Sequence, residues 1–99
     1  MMQFLIQYTV KPELVEEQET AINAFIDAIK GVGDPDASYT SLKAEDGISF
    51  THIARFRNEE ALKRFQSQPH FETFSKGLPP RCSEGPKATK LALVASTDP

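Results

Sequence analysis

Hydrophobic and polar positions along the chain change their period five or six times, and each change marks an element. Residues 2–10 alternate, with Phe4, Ile6, Tyr8 and Val10 on one face and Gln3, Leu5, Gln7 and Thr9 on the other. That period of two predicts a strand with an apolar side and a mixed side. From Lys11-Pro12-Glu13 the period becomes helical. Val15, Ile22, Phe25, Ile26 and Ile29 form an apolar stripe, Glu13, Glu16, Glu17 and Glu19 crowd the N-terminal half, and Gly31 is the expected stop. Residues 33–36 read as a loop, 37–43 as a weaker strand, and 44–47, ending in Asp-Gly, as a hairpin turn. Residues 48–56 return as a strand, with Ile48, Phe50, His52, Ala54 and Phe56 on one face and Ser49, Thr51, Ile53 and Arg55 on the other.

Asn58 is placed to cap a short helix in which Ala61, Leu62 and Phe65 point inward. Pro69 breaks that helix, and Phe71, Phe74 and Leu78 form a further helical stripe that Pro79-Pro80 is expected to end. Residues 81–87 then read as a loop around Gly85-Pro86, 90–95 as a last strand, and 96–99 as a frayed tail. The order β-α-β-β-α(α)-β predicts an α+β, ferredoxin-like domain. Two helical segments lie on one face of a four-stranded antiparallel sheet. The other face, with Leu5, Ile53 and part of the Leu91–Val94 run, has no helix left to cover it. A second copy of the chain is the economical cover.

Composition narrows the function. The chain has 99 residues, 39% hydrophobic and 25% charged, which suits a single domain spanning 1–99 with a modest core. A formal charge of −3 with no basic run argues against nucleic acid. No apolar run reaches the roughly 20 residues needed to cross a bilayer. The N-terminus lacks the basic start and cleavage site of a signal peptide. One cysteine, Cys82, allows no internal disulfide, so a cytoplasmic home is expected.

Candidate chemistry is sparse. His70, just after Pro69, is either a general base suited to neutral pH or a residue that fixes the joint between helices. His52 is either a second catalytic group or a core-edge histidine bonded to backbone. Arg55 can stabilise an oxyanion or form an ion pair. Gln7 suits a hydrogen bond inside a barrel, whereas Tyr8 is expected to bury its ring. Phe65, Phe71 and Phe74 are core residues or the wall of a ligand pocket. Two separate histidines without nearby cysteine or paired carboxylates predict no metal site.

The stretch RFRNEEALKRFQSQPHFETF carries a resemblance. Phe56 ending a strand, Glu59-Glu60, Ala61-Leu62, then Ser67, Pro69, His70 and Phe71 resemble the antibiotic biosynthesis monooxygenase family of the dimeric α/β-barrel superfamily. The first strand, Lys-Pro and long helix fit as well. The resemblance implies a homodimer whose sheets face each other. It also implies a small hydrophobic or aromatic ligand between sheet and helices and, in some members, oxygenation of phenols or quinols without metal, flavin or other cofactor. Phe65 stands where a second histidine is common, Arg55 where a glutamate is common, and the chain has no tryptophan. Haem degradation is therefore not implied. Two expectations remain open. One is a cofactor-independent monooxygenase with His70 as base and Arg55 or Gln7 stabilising negative charge. The other is a ligand-binding or scaffold dimer without chemistry.

Overall fold

The computed structural model describes residues 1–98. Its strands are β1 (Met2–Val10), β2 (Ala37–Lys43), β3 (Ser49–Phe56) and β4 (Cys82–Leu91). The helices are α1 (Val15–Val32), α2 (Glu59–Gln66) and α3 (Pro69–Arg81), and a 3₁₀ turn, Pro12–Leu14, precedes α1. The strands form one antiparallel sheet in the order β2-β3-β1-β4. This is the α+β, ferredoxin-like arrangement that the alternation predicts, with the helices on one face.

Local chemistry explains the boundaries. Asn58 caps α2, its side-chain oxygen accepting from the Ala61 N–H at 2.9 Å. Pro69 opens α3, where a first-turn proline removes no helical hydrogen bond. In the β2–β3 turn, Gly47 has φ +78°, and the Asp46 carboxylate accepts from the Ile48 and Ser49 N–H groups.

Three boundaries differ from the sequence reading. Helix α1 runs past Gly31 and stops at Gly33, which takes the left-handed conformation (φ +68°) and donates its N–H to the Ile29 carbonyl. Helix α3 continues through Pro79 and Pro80 to Arg81. The prolines fall in its final turn, where the free carbonyls find other donors. The Lys11 ammonium donates to the Pro80 carbonyl and the Lys11 N–H to that of Arg81.

The last strand is Cys82–Leu91, not residues 90–95. It holds its place by backbone pairing with β1, so its mostly exposed side chains show no alternation. Gly85-Pro86 sits within the strand at a register shift. Gly85 has φ +80°, and a Cβ there would lie 2.9 Å from the Gln7 carbonyl oxygen, so only glycine fits this crossing.

The core lies between sheet and helices. Tyr8, Val10, Phe50, Ala54 and Phe56 from the strands meet Ile22, Phe25, Ala61, Phe65, Phe74 and Leu78 from the helices. The opposite sheet face carries a row of Thr40, Ile53, Leu5 and Thr89. Beside it lie Leu42 and Leu91, exposed by 51% and 39%. This is the side expected to lack cover.

Candidate functional site

Between the sheet and helices α2 and α3 lies a cavity of about 360 Å³. Ala54, Phe4 and Ile6 form its floor, Pro86 and Ala88 border it from β4, and Leu62, Phe65, Phe71, Phe74 and Leu78 line its helical side. No charged side chain lines it; Tyr39, Gln66 and Ser75 supply its polar groups. Such a volume and lining suit a small, largely apolar molecule. The aromatic wall is interlocked. Phe25 and Phe74 stack at 4.4 Å and 4°, and Phe65 meets Phe56 and Phe71 edge-on at 5.1 and 5.7 Å.

Beside the cavity, under the first half of α1, five polar side chains form a continuous seam. Arg81 Nε donates to Gln18 Oε1 at 2.6 Å, Gln18 Nε2 donates to Tyr8 Oη at 2.8 Å, Tyr8 Oη meets His52 Nε2 at 2.5 Å, and His52 Nδ1 meets Ser41 Oγ at 2.6 Å. The chain of donors has one consistent direction. Arginine can only donate, so Gln18 accepts with its oxygen and donates with its nitrogen. The remaining Tyr8 proton then goes to His52 Nε2, and the His52 Nδ1–H donates to Ser41.

Gln18 and His52 are fully buried, and every buried side-chain nitrogen and oxygen among the described residues has a partner. Burial lowers the His52 pKa to about 4 and pushes that of Tyr8 well above the phenol range. Both are therefore neutral across the ordinary pH range. Gly77 leaves room for the end of the seam, since a Cβ there would come within 3.1 Å of an Arg81 guanidinium nitrogen.

The family model described as "Antibiotic biosynthesis monooxygenase" matches residues 1–77. The chain belongs to that family. Several solved structures resemble it closely in shape and distantly in sequence. Rv0793 from Mycobacterium tuberculosis superposes with a TM-score of 0.84 at 16% identity, covering 97% of each chain. An asparagine-to-alanine variant of SnoaB, a cofactor-independent oxygenase from Streptomyces nogalater, gives 0.79 at 18%, covering 99% of this chain and 97% of that one. PA3566 from Pseudomonas aeruginosa gives 0.79 at 23%, covering 95% and 94%. A comparison with curated sequences finds no match.

In this monooxygenase-family chain the expected site residues fall into separate places. Phe65, Phe71 and Phe74 line the cavity together. His52 lies on the same sheet face but is sealed in the seam, 5.9 Å from the Phe74 ring, with side-chain rather than backbone partners. His70 does not line the cavity. It borders the neighbouring groove between α1 and α3, with the Phe25–Phe74 pair as the partition between the two spaces. Arg55 and Gln7 lie on the far side of the sheet, and Arg55 Nε donates to Gln3 Oε1 at 3.1 Å. Within one chain they share no space with the cavity.

Among the described residues, no three His, Cys, Asp or Glu side chains gather as a metal site requires, and no helix is long and apolar enough to cross a membrane. The sequence reading missed Gln18, Tyr39, Ser41 and Arg81. All four are polar residues in the inward phase of their element: Gln18 precedes Ile22 by four, and Arg81 follows Leu78 by three.

Proposed function

We propose that the protein is a cofactor-independent monooxygenase that takes a small phenolic or quinol-type aromatic compound into the cavity under α2 and α3. The observation that carries this reading is the apolar, phenylalanine-walled space of about 360 Å³ in a chain of the monooxygenase family. The solved relative described as a cofactor-independent oxygenase supports it through the shared fold. The reaction balances without another reductant. A phenol with a free ring C–H plus dioxygen gives a quinone plus water: one oxygen atom enters the ring, the other leaves in water, and the phenol supplies all four electrons. The base of this reading is His70, which borders the groove on the other side of the Phe25–Phe74 pair. The bare sheet face pairs with that of a second copy, and Arg55 and Gln7 lie in the resulting barrel.

A specific observation favours a second reading, a binding dimer without chemistry. Neither histidine and no charged group lines the cavity. Oxygen uptake with a panel of phenols and quinols separates the two, run on samples whose mass is checked by sedimentation. The first reading expects a dimer with measurable uptake that falls at least tenfold in His70→Ala. Saturable binding without uptake by any compound, or uptake unchanged in the variant, removes the catalytic assignment. A monomer removes the barrel.

A further inference from the structure

We propose that the Tyr39 hydroxyl is the polar anchor of the cavity, and that it hydrogen-bonds an oxygen of an uncharged aromatic ligand. The inference rests on the reading of the cavity as a ligand site, whether or not chemistry follows there.

The Tyr39 ring is held on three sides. It stacks on Phe65 at 5.7 Å and 16°, meets Phe25 edge-on at 5.1 Å, and lies 5.3 Å from the His52 ring. A phenylalanine would make the same contacts, so packing does not account for the oxygen. In the seam next to it, every buried side-chain nitrogen and oxygen has a partner, and the Tyr8 hydroxyl has two. The Tyr39 hydroxyl makes no hydrogen bond among the described residues, yet no buried side-chain oxygen among them is left unpartnered. Its oxygen is therefore not sealed in the core, and Tyr39 is one of the residues that line the cavity. A hydroxyl on an apolar wall is costly unless something bonds it. A ligand oxygen in the cavity supplies that bond.

The same surroundings define the ligand's charge. Burial raises the Tyr39 pKa above its ordinary value, so the phenol keeps its proton and presents a donor. No cationic side chain lines the space to offset a carboxylate or phosphate. Gln66 and Ser75, the other polar lining groups, are on exposed positions of the helices. The geometry selects a neutral, planar aromatic molecule with a carbonyl or hydroxyl oxygen directed at Tyr39.

Three probes of one ring system test this: naphthalene, naphthol and naphthoate, titrated at pH 7 into the wild-type protein, Tyr39→Phe and Ser75→Ala. The wild type is expected to bind naphthol roughly tenfold more tightly than naphthalene, the scale of one hydrogen bond, and naphthoate more weakly than either. Tyr39→Phe should erase the naphthol preference, leave naphthalene binding unchanged and melt at the wild-type temperature. Ser75→Ala should keep the preference. If Tyr39→Phe still prefers naphthol, or melts several degrees lower, the anchor is wrong while the cavity remains a binding site. If none of the probes binds the wild type, the cavity reading fails and the anchor falls with it.

Discussion

Two regions share one face of the sheet and could hardly be built more differently. Under the first half of α1, Ser41, His52, Tyr8, Gln18 and Arg81 tie three strands and two helices together by side-chain hydrogen bonds, with no buried polar side-chain atom left unpartnered among the described residues. Under α2 and α3, aromatic side chains surround an empty space of about 360 Å³ with almost no polar groups. The seam is polar and closely paired, the cavity apolar and open. A satisfied network fixes one arrangement of the elements around it. An unfilled apolar space instead forgoes packing contacts that a core of this size can use. Rigidity next to a void is the arrangement expected of a site held open for a guest.

Breaking the seam should give the largest effect. Gln18→Leu keeps the volume but removes both hydrogen bonds, leaving the buried Tyr8 oxygen one partner short and freeing Arg81. The expected loss is roughly 3 kcal/mol by urea denaturation. A loss under about 1 kcal/mol would mean that the seam is decoration on an independently stable core.

Acid should attack the same place more gently. His52 has a pKa of about 4 in the folded protein, against about 6.5 for an ordinary histidine. As pH falls below 6.5 the unfolded chain takes up this proton and the folded chain does not. Stability is therefore fully present above pH 6.5 and is lost between there and about pH 4. At pH 5 the expected loss is roughly 2 kcal/mol. Protonation would also set two donors, from Gln18 and His52, against one hydroxyl whose own proton has no acceptor. The lowered carboxyls of Asp34 and Asp46 act in the same direction in a more acidic window. Melting temperatures at pH 7 and pH 5 check this. The fall should shrink in His52→Gln, and an equal fall in both proteins would assign the acid sensitivity elsewhere.

The two regions also differ in how plainly the sequence announces them. The aromatic wall was legible, because Phe65, Phe71 and Phe74 recur at helical spacing. The space between them was not, because periodicity gives a side chain's direction and not whether another atom meets it. The seam left a clear trace that is easily discounted: a polar residue wherever the apolar stripe should continue, at positions 18, 41, 52 and 81. Reading these as interruptions hides that they face one another, since they come from four elements and meet only through tertiary packing. The ferredoxin-like fold followed from the order of the elements, and the inward faces of β1 and β3 from their alternation. The extent of β4 did not, because a strand held by backbone pairing carries no side-chain pattern, and Gly85-Pro86 has the composition of a turn. Arg55 and Gln7 were correctly placed on the mixed face of their strands. What the sequence could not show is that the cavity opens on the other face.

The smallest stability effect should come from filling the cavity. Ala54 is 3% exposed on β3, directly between Tyr39 on β2 and Phe4 on β1, and forms part of the cavity floor. Ala54→Leu adds three carbon atoms that project into existing space rather than into packed neighbours. The added apolar burial offsets the side-chain ordering it requires, so stability should stay within about 1 kcal/mol of wild type. Naphthol binding should nonetheless fall roughly tenfold or more, because the added atoms occupy the ligand's volume. The pair of measurements sharpens the contrast with Gln18→Leu, which lowers stability through the buried seam. Were Ala54→Leu to destabilise the fold by several kcal/mol, the space would be closed in solution by its aromatic wall, and the cavity would lose its claim to be a site.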